Sequence, residues 1–476
     1  MSILRQKASP IREKRLFAIG AYYGKAEILL SEYEENEQFT QRVRTFSQDS
    51  QSDILTALNV ISTIKDAAVI VHGAAGCGVG RLSLVPNDEN NTKWAVTNLN
   101  ERDSIMGSGS KLQEAILQIY KLHEPKLIFI VLAPIVSINN DDIESVVEEL
   151  KGELETTIIP VYSVGFRSKI GSTGLDLVSH SILKRFFKIN TEVVPSDYVN
   201  LLTVAEKKSD VTEATRLLNE LGLKINLFPR YTSYENIKQV SNASFSISVN
   251  PDDSIYPGEV LKERFDIPYI QSVIPIGIDN TSQWITDIAI ATDRKKKAHE
   301  LLTLEKEKLF TLVRKKDNIK PKIFISLTPA YGIAVIKLVE ELGYEIVGYK
   351  FSFLDNQHLS FVKQIKDEKP DIPVFVGNGQ YFEEENVIRK IKPELYIGSN
   401  NSDFTVAVRN GIPVINIDNF SIFGFNGVIN FANKITKTLA NTSFVKSLAS
   451  SEAESDTYKT EWLRKSTNWF IKQEVK

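Results

Sequence analysis

The chain has 476 residues, 42% apolar and 25% charged, an ordinary globular balance with enough apolar material for several cores. Its formal net charge of -3 argues against whole-surface attraction to nucleic acid, and its single cysteine excludes an intrachain disulfide. The opening MSILRQKASPIREKRLF lacks the apolar core of a secretion signal, and no apolar run reaches the about 18–20 residues that span a bilayer. A cytoplasmic protein is expected, with neither nucleic acid nor membrane as partner.

Short β-rich runs alternate with amphipathic stretches. The first block holds AAVIVHG (67–73), KLIFIVLAP (126–134) and TIIPVYSVG (157–165). The second holds VNLLTV (199–204), KINLFPR (224–230), FSISVN (245–250) and PYIQSVIPIG (268–277). The third holds KIFISL (322–327), EIVGYK (345–350), PVFVGNG (373–379), ELYIGSN (394–400) and PVINID (413–418). Between them, VTEATRLLNELG (211–222) and AVIKLVEELG (334–343) carry apolar residues at helical spacing, and each ends on a glycine stop. This alternation predicts α/β architecture with doubly wound parallel sheets, repeated in blocks near 60–195, 196–290 and 318–440.

The predicted division is an N-terminal domain over 1–195, a middle domain over 196–292, a connecting helix over 293–317, a third domain over 318–440 and a helical tail over 441–476. The connecting stretch reads as a helix with a solvated, charged face. The tail ends with Trp462, Trp469 and Phe470, which predict a packed helix.

The lone cysteine lies in VHGAAGCGVGR, where Cys77 sits among Gly73, Gly76, Gly78 and Gly80 just after a predicted strand. This is neither a Walker A loop, since no Gly-Lys-Ser/Thr follows, nor GxGxxG, since Arg81 occupies the third glycine position. What remains is a turn at the C-terminal end of a strand, where α/β sheets place ligands and where glycine permits close backbone approach. Three readings of Cys77 compete: a packed apolar residue, a nucleophile with His72 as the only local base, or a metal ligand. One thiolate does not hold an iron–sulfur cluster, so the ligand reading demands other chains. Downstream, TNLNERDSIMGSGSKLQEAI (97–116) gives a polar turn, a Gly-Ser-Gly break and a helix start. Asp141 and Asp142 stand where they would cap the next helix.

In this order, HGAAGC, TNLNERDSIMGSGSKLQEAI and DDIESV resemble component 1 of nitrogenase and its relatives, which include cofactor-assembly scaffolds and tetrapyrrole reductases. LLNELGLKI, VLKERFDIPYIQSVIPIGI, IKPELYIGSNNSDFTVAVRNGIPVINID and FGFNGVINFANKI extend the resemblance over most of the chain. It implies three Rossmann-like domains and an iron–sulfur cluster at a seam between paired, similar subunits. It also implies a P-loop ATPase, carrying its own cluster, that delivers electrons there. By this resemblance Cys77 is a cluster ligand, and Gly73, Gly76, Gly78 and His72 shape its pocket.

The departures matter. Where full subunits have a second and a third cysteine, this chain has Ser52, beside Asp53, and Pro134. Single-cysteine members pair with a three-cysteine homologue, as a heterodimer or heterotetramer; a homodimer is the other option. Asp53 is left as an additional candidate ligand. The places of the residues that anchor the large cofactor of nitrogenase fall near Asn250 and Phe423, neither of which suits a metal cluster. Three functions follow as expectations: an electron-transfer oxidoreductase subunit, a scaffold or maturation protein without turnover, or a metal-free module of the same fold.

Overall fold

The computed structural model describes residues 19, 21–36, 53–79, 92–163, 172–186, 196–203, 207–312, 320–377, 379–399, 402 and 404–452. Ser52, Arg81 and the tryptophan-bearing tail lie outside these residues. Among them are fourteen strands: β1 Ala21–Gly24, β2 Ala67–His72, β3 Lys93–Val96, β4 Leu127–Leu132, β5 Thr157–Val161, β6 Ser196–Thr203, β7 Lys224–Pro229, β8 Ala243–Ser248, β9 Tyr269–Ile270, β10 Lys322–Leu327, β11 Glu345–Phe351, β12 Val374–Gly377, β13 Leu395–Gly398 and β14 Val414–Asn416.

They form three sheets, ordered β3-β2-β4-β5, β7-β6-β8-β9 and β1-β12-β11-β10-β13-β14. Every pairing is parallel except that of β1 with β12. The chain is thus an α/β protein of doubly wound parallel sheets, and β2–β14 fall within the three predicted blocks. By internal packing it divides into two compact units. One gathers the described parts of 51–204 and 223–271, and the other those of 17–50, 205–222 and 272–476.

Within the first unit, β2 and β4 are buried along their whole length, as strands covered on both faces must be. Alternate residues serve two cores. Val69, Val71, Phe129 and Val131 pack with Leu58 and Ile61 of the helix Asp53–Ser62 and Val178 and Ile182 of the helix Ser172–Phe186. Ala68, Ile70, Ile128 and Ile130 pack with Leu112, Ile116 and Ile119, which line one face of the helix Gly109–His123. Each large apolar side chain so buried contributes about 1.5–3 kcal/mol. The register pairs His72 with Leu132, so β2 and β4 end level with each other.

In the second unit Phe324, Phe375 and Tyr396 form a core with Val387, Ile388 and Val406. The two predicted glycine stops end the helices Lys208–Glu220 and Pro329–Glu341: Gly222 and Gly343 take φ of 78° and 77°, the left-handed conformation of a helix-terminating glycine. The charged stretch forms the helix Lys295–Leu312, with Ala298, Leu301 and Leu309 turned inward. Its Glu305 is buried as well, paired with Arg216 at 3.1 Å.

The run 268–277 yields only the two-residue β9. Beyond it Pro275 has no N–H to donate to a ladder, and its carbonyl accepts instead from Gly424 N at 2.8 Å. Sequence periodicity passes over β1 and β3, each four residues long and at a sheet edge.

Candidate functional site at the end of the first sheet

From β2 the chain crosses to β3 on one side, and β4 on the other side leads away to β5. The crevice between the C-terminal ends of β2 and β4 is therefore the point where strand order reverses, the place where open α/β sheets bind ligands. β2 runs into Gly73, Ala74 and a 3-10 turn, Ala75–Gly78, that carries Cys77. β4 runs into Ala133 and a short helix, Pro134–Asn139, with proline in its first turn. The two exits are tied by Ala133 N donating to His72 O at 2.9 Å.

Two of the loop glycines have packing reasons. A Cβ on Gly73 would lie 2.5 Å from the Cβ of Ala133, and one on Gly78 would lie 2.4 Å from Val96 Cγ2. Gly76 is different: it is exposed, and a Cβ there would meet no atom of the described residues within 4 Å. Cys77 is half-buried, its N–H bonded to Ala74 O at 2.9 Å. Its Sγ lies 3.4 Å from the point a Gly73 Cβ would occupy, and its inner side packs on the core that also takes Trp94 and Val96.

His72 is fully buried behind this turn. Its Nδ1 is 3.0 Å from Thr97 Oγ1, and its Nε2 is 2.9 Å from Ser108 Oγ. Ser108 donates to the Asp141 carboxylate. Thr97 Oγ1 also accepts from Gly73 N at 3.0 Å. Burial holds the His72 pKa down to about 4, with the Asp141 charge pulling the other way, so the ring is neutral at neutral pH. The adjacent aspartates, both expected as caps, divide their labour. Asp142 caps the helix Ile143–Glu149, accepting from Ser145 N at 3.0 Å. Asp141 turns to Ser108 instead. The sequence signal for Ser108 was only the Gly-Ser-Gly break that opens its helix.

The rim of the crevice is apolar and exposed. Val79 follows the 3-10 turn; Ile105 and Met106, 82% and 76% exposed, end the helix Glu101–Met106 after β3; Ile135 and Ile138 lie on the helix after β4. These two helices are joined by the Asn139 amide, which donates to Ser104 O. A reciprocal capping box between Asn100 and Asp103 fixes the start of the first of them. The sequence carries no signal for this rim, because its five apolar residues are scattered over short segments without periodicity.

The other predicted positions are buried. Asp53 is buried at the start of its helix, Oδ1 accepting from Ile54 N at 2.9 Å, and a Cβ on Gly174 would lie 2.1 Å from its carbonyl oxygen. Asn250 is a buried helix cap that accepts from Asp252 N at 3.1 Å, and Phe423 is fully buried beside Tyr331. Among the described residues no group of three or more His, Cys, Asp and Glu is placed to hold a metal. None of the described helices is long and apolar enough to cross a membrane.

The chain is similar to the nitrogenase molybdenum-iron protein alpha chain of Methanosarcina barkeri, 26% identical over 355 residues, covering 70% of this chain and 66% of that one. It is similar to the nitrogenase iron-molybdenum cofactor biosynthesis protein NifE of Methanococcus maripaludis, 25% identical over 394 residues, covering 79% and 80%. The solved structure of nitrogenase Cp1 at pH 6.5 shares the fold, with a TM-score of 0.72 over 92% of this chain and 98% of that one at 16% identity. The family model of nitrogenase component 1 type oxidoreductases matches residues 52–440, and the chain belongs to that family.

Proposed function

We propose that this chain is the lesser subunit of a nitrogenase-like pair, contributing Cys77 to an iron–sulfur cluster at the seam with a cysteine-richer homologue. Electrons would arrive from an ATP-dependent P-loop reductase that carries its own cluster. The observation that carries this reading is a sole thiol, half-exposed at the strand-reversal crevice, beside a glycine that no described residue crowds, with exposed apolar side chains on the segments that follow β2, β3 and β4. One thiol, with no further clustered ligands among the described residues, fits a cluster only if a partner supplies the remaining thiolates.

A bound iron–sulfur cluster would supply single-electron storage and transfer. Cys77 would hold it, and the exposed Gly76 would leave room for it against the backbone. Val79, Ile105, Met106 and Ile138 would be covered by the partner and would exclude water, which lowers the local dielectric and tunes the potential.

A second reading, a scaffold that holds a cofactor precursor without turnover, draws support from the NifE relatives and from Asn250 and Phe423, which serve capping and packing. Anaerobic purification with a co-expressed homologue tests both. Iron, sulfide and a visible absorption band are expected, all lost in Cys77→Ala. Absence of iron from the wild-type pair after reconstitution would leave only a metal-free module. ATP-dependent reduction by a P-loop partner separates the oxidoreductase from the scaffold.

A further inference from the structure

The hydrogen bonds behind Cys77 have a single consistent direction. Ser108 has one proton and gives it to the Asp141 carboxylate, so its oxygen accepts from His72 Nε2–H. The neutral ring then presents a lone pair at Nδ1, and Thr97 donates to it. Two lone pairs would otherwise face each other at 3.0 Å, so the one Thr97 proton lies on that contact rather than on the longer one to Gly73 O at 3.3 Å. Thr97 Oγ1 in turn accepts from Gly73 N, a group just past the end of β2. The chain reads Gly73 N–H to Thr97, Thr97 to His72, His72 to Ser108, Ser108 to Asp141. Thr97, His72 and Ser108 are buried and Asp141 is half-buried, so a formal negative charge anchors the outer end.

We infer that Thr97, Ser108 and Asp141 are positioning residues for Cys77, acting through His72 to fix the backbone at Gly73 against which the sulfur lies. Each link is closed by a partner with no other proton to give, and the terminal bond is charge-assisted, so the links polarise one another. Capping does not explain Asp141, since Asp142 fills that role. The purpose assigned to the device rests on the reading of Cys77 as a cluster ligand; its geometry does not.

A chain with one cysteine makes the test clean. The rate of alkylation of Cys77 by iodoacetamide is measured on the full-length, metal-free protein. Thr97→Val and Ser108→Ala should each accelerate it about five- to tenfold, the effect of releasing one net hydrogen bond on local opening. Thr97→Ser, which keeps the hydroxyl, should restore the rate to within about twofold of wild type. Ser145→Ala, beside Asp142 but outside the chain of bonds, should leave it unchanged. The double variant Thr97→Val/Ser108→Ala should be no faster than the faster single variant. Unchanged rates in folded Thr97→Val and Ser108→Ala, or equal rates in Thr97→Ser and Thr97→Val, overturn the inference. If the first two variants do not fold, Asp141→Asn decides: faster alkylation supports the inference and an unchanged rate overturns it. Failure of the wild-type pair to bind iron would sink the proposed function and leave this result standing.

Discussion

The first and third sheets share one winding scheme but fill its crevice in opposite ways. In the third sheet strand order reverses between β10 and β13. There Ser402 Oγ donates to Ser326 O at 2.9 Å and accepts from Ser399 N at 3.0 Å, and a Cβ on Gly398 would lie 2.6 Å from that hydroxyl. Behind it a buried ion pair, Lys350–Glu384, is completed by Tyr396 OH donating to Glu384 at 2.7 Å. In the first sheet the same position holds a thiol, an unobstructed glycine and an apolar rim. Topology marks the place; the side chains decide whether the chain keeps it for itself or leaves it open.

The largest expected effect breaks the closed crevice. Glu384→Leu strands the Lys350 ammonium in the core and should destabilise the second unit by about 3–5 kcal/mol in urea unfolding. Lys350→Met added to Glu384→Leu should recover most of that, because two apolar residues leave no unpaired charge. If the double variant is as unstable as the single, the pair does more than satisfy itself.

Next comes pH. The folded protein holds His72 neutral down to about 4, whereas an unfolded histidine protonates near 6.5. The unfolded state therefore binds more protons between those values. This contribution is complete above pH 6.5 and is lost as pH falls towards 4, a difference of about 3 kcal/mol. His72→Gln should be less stable at pH 7 and should lose less stability than wild type between pH 6.5 and 4, measured by urea midpoints. Parallel pH curves for the two proteins would mean that the ring is not held neutral.

A smaller effect concerns the join of β2 and β4. Gly73→Ala places a methyl 2.5 Å from Ala133 Cβ, which moves only with its backbone, and should destabilise the fold by about 1–3 kcal/mol. Ala133→Gly should relieve it in a double-mutant cycle of thermal melts. Additivity of the two changes would show that the strands do not meet there.

These contrasts show how much could be read from sequence. The apolar runs located twelve of the strands, since buried parallel strands are continuous in β-branched residues, and the motif order matched the family that the comparisons support. Cys77 and its glycines stood out by type. The chain from Gly73 to Asp141 did not, because its links span 24, 25, 36 and 33 positions and no local pattern encodes them. Nor did the rim: Ile105 and Met106 look like core until the fold leaves them outside. The expected pair of caps failed for one member because a buried histidine relay competes for Asp141.

The finest contrast lies within a single turn, between Gly73 and Gly76. Packing forbids a methyl at Gly73, whereas at Gly76 none of the described residues stands within 4 Å and φ is not positive. Gly76→Ala should therefore leave the isolated chain folded and raise its stability by about 0.4–1 kcal/mol, since alanine restricts the unfolded chain more than glycine does. If the open side of that turn is where a partner-held cluster rests, the added methyl intrudes there. An intrusion of about 1–3 kcal/mol corresponds to about five- to 150-fold in retention. A higher melting temperature together with a lower iron content of the anaerobic pair is thus the expected combination. A methyl that raises both, or that leaves iron content untouched, would move the ligand to another side of Cys77 and leave Gly76 without a function.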